Sequence, residues 1–252
     1  MKTIGADGCP GGWAAVCIKA GKIESGVFSA FSEIVEAFSP FDLLLVDMPI
    51  GLPENQREAE NRPEPLARKL LKGRASSIFN VPCRQAVALD DYAAASRLNR
   101  EVLGKGLSKQ SFYIMKKIHE LDAYLQNRPH LQGRIKESHP ELAFAMLAGE
   151  PLAAGKKMEA GLTERLQLLK RFVPVASELE TQIEAFPAYR KVYGDLVDAC
   201  CLAVTAQLGL EKGFVKIPEH PAADRTGLMM QMHVYTESDS KEGIRHEEEK
   251  NT

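Results

Sequence analysis

The chain has 252 residues, 44% hydrophobic and 26% charged, enough apolar material to bury a core without staples. Its 32 Lys and Arg against 34 Asp and Glu leave a net charge of −2, which excludes a strongly basic nucleic-acid coat protein but not a local basic groove. No run of 18 apolar residues exists, so neither a membrane span nor a membrane partner is expected. The first residues carry Asp7 and four glycines where a secretory leader needs an apolar stretch. Five cysteines without CxxC spacing read as reduced thiols, and the expected location is the cytoplasm.

In chain order, residues 1–7 (MKTIGAD) form a β run that ends in an acid. Pro10-Gly11-Gly12 turns into a second strand over 13–19, and Ala20-Gly21 into a third over 22–28. Tight turns between them predict an antiparallel meander. Ser32 is read as the cap of a helix over 33–38. Four consecutive apolar residues within 42–47 (DLLLVD) predict a strand buried on both faces, ended by Met48-Pro49. Residues 49–134 show helical pattern and no strand. The clearest helix opens at Ser108, with Phe112, Met115, Ile118, Leu121 and Leu125 spaced by three and four. A helical insertion over about 53–130 is therefore expected between two strands.

The segment 134–137 (RIKE) reads as a fifth strand, followed by helices over 142–147 and 163–172. Asp195 opens a last helix whose Val197, Cys200, Cys201, Val204 and Leu208 face the core, and 214–217 is a short closing strand. Residues 1–236 are read as one domain. The polar tail 237–252, net −3, is read as disordered. A meander followed by β and α units gives an α/β fold, a mixed sheet with helices on both faces.

The informative pattern is where the acids lie. Asp7, Asp47 and Glu137 each end a strand, and Asp195 and Asp198 share a helix face one turn apart. Acids at the ends of central strands converge at one edge of a sheet, where sites of open α/β sheets form. Several carboxylates in one place repel unless cations neutralise them, and magnesium or manganese are the natural partners. Two such ions about 3.5–4 Å apart clamp the attacking and leaving oxygens of a phosphodiester. The expected function is thus metal-dependent phosphodiester hydrolysis, with all five acids as catalytic metal ligands. His139, two residues after Glu137, is the candidate proton shuttle.

The motifs GADGCPGGW (5–13), VDMPIGLP (46–53), GRASSIF (73–79), LSKQSFYIMKKIHELD (107–122), ESHPELAF (137–144), KK (156–157) and DLVDA (195–199) occur in this order. As a set they resemble the "domain of unknown function 429" family, predicted nucleases of the ribonuclease H-like fold. The resemblance spans residues 3 to 218. It implies a five-stranded ribonuclease H-like core with the first three strands antiparallel. It also implies that Asp7, Asp47 and the Asp195/Asp198 pair stand where such folds hold metals.

Two basic segments complete the expectation. Residues 54–84 carry a net +3 and residues 97–117 a net +5, both within the insertion. They are expected to hold RNA or DNA by its phosphates. The candidate contacts are Arg74 with the hydroxyls of Ser76 and Ser77, Arg84, Lys109 and Gln110 at a helix start, Lys116, and Lys157. Trp13 is read as core, and Cys9, in a turn without a basic neighbour, as no nucleophile. Two other readings are a binding module without catalysis and an ATP-dependent phosphotransferase of the actin-like branch. The latter needs two duplicated halves, which a chain with one meander does not supply.

Overall fold

The computed structural model describes residues 1–156, 158–173 and 176–237, so Lys157 and most of the polar tail lie outside the described residues. Three strands, β1 (Lys2–Cys9), β2 (Gly12–Lys19) and β3 (Lys22–Phe28), form the antiparallel meander. Helix α1 (Phe31–Phe38) leads into β4 (Leu43–Asp47), which pairs parallel to β1. Ser32 lies inside α1 and does not cap it. The Glu33 carboxylate instead accepts from the Ser29 amide at 2.9 Å and the Ser29 hydroxyl at 2.7 Å, which closes the helix start.

Helices α2 (Gln56–Glu60), α3 (Glu64–Leu70), α4 (Arg84–Val87), α5 (Tyr92–Leu103) and α6 (Lys109–Gln126) fill the stretch between β4 and β5 (Ile135–Glu137). Then come α7 (Pro140–Ala148), α8 (Glu159–Phe172), α9 (Ala176–Ala185), α10 (Tyr193–Lys212), β6 (Val215–Ile217) and β7 (Met232–Val234). The sheet has seven strands in the order β3-β2-β1-β4-β5-β7-β6, not the expected five. The correction arises at one edge, where β7 inserts parallel to β5 and carries β6 antiparallel beside it.

Strand parity sorts the core into two layers. Leu43 and Leu45 of β4 pack with α7, α8 and α10 on one face, and Leu44 and Val46 pack with α1 and α6 on the other. Trp13 belongs to the second layer. Its ring meets Phe31 edge-on at 5.2 Å, and its indole N–H donates to Glu120 at 3.0 Å. Asp7 and Asp47 are Cα partners in the parallel ladder, so both project from the α10 face. Gly5 lies two residues back on that face. A methyl there would overlap the Ala199 carbonyl oxygen, so glycine lets α10 lie directly on β1. The close approach places Asp195 and Asp198, at the start of α10, beside the end of β1.

Candidate metal centre and adjoining cavity

Four of the five predicted acids converge. One carboxylate oxygen each from Asp7, Asp195 and Asp198 lie within 4.8 Å of one another, a spacing a cation can span. Asp47 stands beside Asp7 in the ladder, and its charge acts on both Asp7 and Asp198. Asp7 and Asp198 are each only 4% exposed. Burial raises the Asp7 carboxyl well above its ordinary range, and Asp47 raises it further against the pull of Lys156. Burial likewise pushes Asp198 up to about 6, opposed by the same lysine.

Lys156 joins the acids at this centre, whereas the sequence pointed to the Lys156-Lys157 pair as a contact for phosphate. Its ammonium donates to Asp198 at 2.6 Å and Asp195 at 3.2 Å, and stands 3.8 Å from Asp7. Burial alone would lower its pKa, but Asp198 and Asp7 hold it above the usual ammonium range. The Asp7 Oδ2 atom is buried without a hydrogen bond, since 3.8 Å is too long for one. Among the described residues, three acids thus share the Lys156 ammonium, and one buried carboxylate oxygen remains unsatisfied. That donor set, all hard oxygen, fits a divalent cation such as magnesium or manganese.

The loop bearing Lys156 is fixed from two sides. Arg74, in a 3-10 turn over Lys72–Ser77, donates to the Ala153 carbonyl at 2.7 Å. The fully buried Arg165 donates to Ala154 at 2.9 Å and to Glu141 at 2.6 Å. Arg74 therefore holds the loop through its guanidinium. Lys156→Met should lower the melting midpoint of the metal-free protein by several degrees at pH 8, above the Asp198 value of about 6, and much less at pH 5. A melt at the two pH values checks this.

Glu137 stands apart from the other acids. Both of its oxygens accept from Arg62 Nη2 at 3.0 Å, and Oε2 also accepts from the Ile50 amide at 2.7 Å. Its carboxylate is thereby committed to an internal ion pair, although it borders the same cavity. His139 precedes α7, and its Nδ1 is buried without a hydrogen-bond partner.

The predicted phosphate contacts are dispersed. Arg84 is bound to Asp122 at 2.7 Å and to Asp224, both internal partners. The Lys109 ammonium lies 3.6 Å from the centre of the Tyr92 ring, and Lys116 pairs with Asp90 at 3.6 Å on the surface. Ser76 and Gln110 are exposed, and the Ser77 hydroxyl donates to the Arg74 carbonyl at 2.9 Å.

Above the acids opens a cavity of about 330 Å³. Asp7, Asp47, Asp198 and Lys156 line one part of it, with His139 and Glu141. The insertion supplies Ile78, Phe79, Val81, Pro82 and Ile114. The Cys9 thiol, pushed up to about 11 by burial and then by Asp195, is unsuited to act as a thiolate.

Fold and site together define an α/β protein with a buried acidic cluster, of metal-binding composition, beside a ligand-sized cavity. The family model described as "Protein of unknown function (DUF429)" matches residues 5–223, and the chain belongs to that family. No curated protein and no solved structure matches the chain. Among the described residues, no helix is long and apolar enough to cross a membrane.

Proposed function

We propose that this chain is a magnesium- or manganese-dependent phosphodiester hydrolase, a nuclease of ribonuclease H-like type acting in the cytoplasm. The observation that carries the reading is the convergence of Asp7, Asp195 and Asp198 within 4.8 Å, with a buried Asp7 oxygen left unsatisfied. Asp47 completes the set from the adjacent strand. A divalent cation held there supplies positive charge to a phosphoryl oxygen and acidifies water. Asp7 and Asp198 must be ionised to hold it, which their raised pKa values oppose in its absence. Lys156 neutralises the acids in the metal-free chain and offers a charged donor to a phosphate oxygen. His139 Nδ1, unpartnered at the cavity wall, is placed to hold a proton.

The test is calorimetric titration with manganese, followed by cleavage assays on hybrid, junction and single-stranded substrates. Manganese should bind the parent, and Asp198→Asn and Asp47→Asn should cut slower by roughly a hundredfold or more. Variants that cut as fast as the parent overturn the assignment. One observation favours a second reading, a binding module without catalysis: Lys156 already lies 2.6 Å from Asp198. That reading predicts ligand binding without any response to manganese.

A further inference from the structure

We propose that the cavity beside the acidic cluster receives an unpaired nucleobase, so that the phosphodiester substrate is a single strand and not a duplex. The proposal deepens the phosphodiester reading, and only its phosphate half rests on that reading. Three observations meet here.

The first is size and continuity. A volume of about 330 Å³ falls at the lower end of ligand pockets, roughly 300–1,000 Å³, and suits one ring system with part of its sugar. The same cavity is lined by Asp7, Asp47 and Asp198, so a group lodged in it keeps its phosphate beside them.

The second is the chemistry of the wall. Ile78, Phe79, Val81, Pro82 and Ile114 present aromatic and aliphatic surface, on which the face of a base packs without regard to its identity. Asn80, whose Oδ1 accepts from Arg68 but whose amide N–H groups remain, and His139, with Nδ1 unpartnered, also line the cavity and offer hydrogen-bonding atoms to a base edge.

The third is where the positive charge went. Duplex binding rests on many Lys and Arg contacts to phosphates. Among the described residues, Lys156 is the one Lys or Arg that lines the cavity. Arg84 is bound to Asp122 and Asp224, while Lys109 lies over the Tyr92 ring and Lys116 is exposed beside Asp90, neither of them lining the cavity. At the cavity itself the insertion thus contributes an apolar wall beside the acids, with the Lys117 side chain next to Gly8 at its margin. In a duplex the bases are stacked and paired, and reaching such a wall requires an unpaired or extruded base.

The experiment separates the base from the phosphate. Metal-free protein is titrated with adenosine, uridine and ribose, neutral probes that need no cation, and followed by NMR. Manganese-loaded protein is then titrated with a mononucleotide, a phosphorothioate-linked single-stranded hexamer, the same hexamer with one abasic site, and its duplex. The nucleosides should bind about tenfold tighter than ribose, and the intact single strand about tenfold tighter than the duplex. A hexamer that binds no tighter than the mononucleotide confines the contact to one nucleotide unit of the strand; a tighter one extends it to the neighbouring units.

Phe79→Ala should weaken nucleoside binding about fivefold with an unchanged melting midpoint, because Phe79 is 39% exposed and its loss leaves the core intact. Equal binding of nucleosides and ribose, or equal binding of single strand and duplex, overturns the proposal. Failure of manganese to bind overturns the hydrolase reading instead and leaves the ratio of nucleoside to ribose binding unaffected.

Discussion

Asp7→Asn will abolish manganese binding and slow cleavage by roughly a hundredfold or more, yet make the metal-free protein more stable than the parent at pH 8. Both effects come from one carboxylate. Asp7 is 4% exposed and faces Asp47, Asp195 and Asp198, with Lys156 offsetting them. Burial, and after it Asp47, raise its folded pKa well above the ordinary value of 3.8. An acid whose pKa is raised by folding binds its proton more tightly in the folded chain than in the unfolded one. Across the interval between the two values the unfolded chain holds fewer protons, so stability falls as pH rises. Asp198, raised from 3.8 to about 6, adds a loss of the same sign over that window. Asparagine preserves the shape, removes the charge at Asp7 and leaves Lys156 to balance two acids at 2.6 and 3.2 Å.

Manganese reverses the trend, because binding requires the carboxylates ionised. The melting midpoint of the parent should therefore fall from pH 5 to pH 8 in chelator. The upward shift on adding manganese should grow over the same range and vanish in Asp7→Asn. A variant that keeps the manganese shift, or melts lower than the parent at pH 8 without metal, contradicts the assignment.

Much of this centre was legible because its determinants are local. Hairpin turns and an apolar run define β1 to β4, and strand parity then puts Asp7 and Asp47 on one face. A spacing of three on a helix puts Asp195 and Asp198 together. What failed to read locally depends on partners far away in sequence. Glu137 shows the same strand-end pattern as Asp47, but Arg62, 75 residues earlier, binds it. Arg84 looks like a phosphate contact until Asp122 and Asp224 arrive from other elements. The Lys156-Lys157 pair carries no local signal that Lys156 reaches the acids. Strand β7 is three residues, Met232-His233-Val234, all buried, so no alternation marks it. The basic runs of the insertion were read as a patch, although a net charge along the chain does not say which faces the charges occupy.

Arg62→Met will cost about 3–5 kcal/mol of stability at pH 8, or roughly 10 °C in Tm, without removing any residue of the acidic cluster. Arg62 is 3% exposed, and its partners Glu64 and Glu137 are 4% and 2% exposed. Its guanidinium donates to Glu64 at 2.8 and 2.9 Å, to Glu137 at 3.0 Å, and to the carbonyls of Ile50 and Gly51. One cation thus ties α3, β5 and the loop that follows Asp47. Methionine fills a similar volume but leaves two buried carboxylates facing each other with no counter-charge.

Burial already pushes Glu137 up to about 7 even with Arg62 pulling it down, so without the arginine Glu137 protonates sooner. Protonation relieves the repulsion, and the destabilisation should be markedly smaller at pH 5 than at pH 8. Adding Glu137→Gln and Glu64→Gln to Arg62→Met should recover most of the loss at pH 8, because neutral amides need no guanidinium. Glu137→Gln alone should leave manganese affinity within about twofold of the parent, since Arg62 and the Ile50 amide occupy that carboxylate. A large loss of manganese affinity in Glu137→Gln at an unchanged melting midpoint would return Glu137 to the metal ligands. A pH-independent penalty in Arg62→Met would show that lost packing, and not unpaired charge, sets the cost.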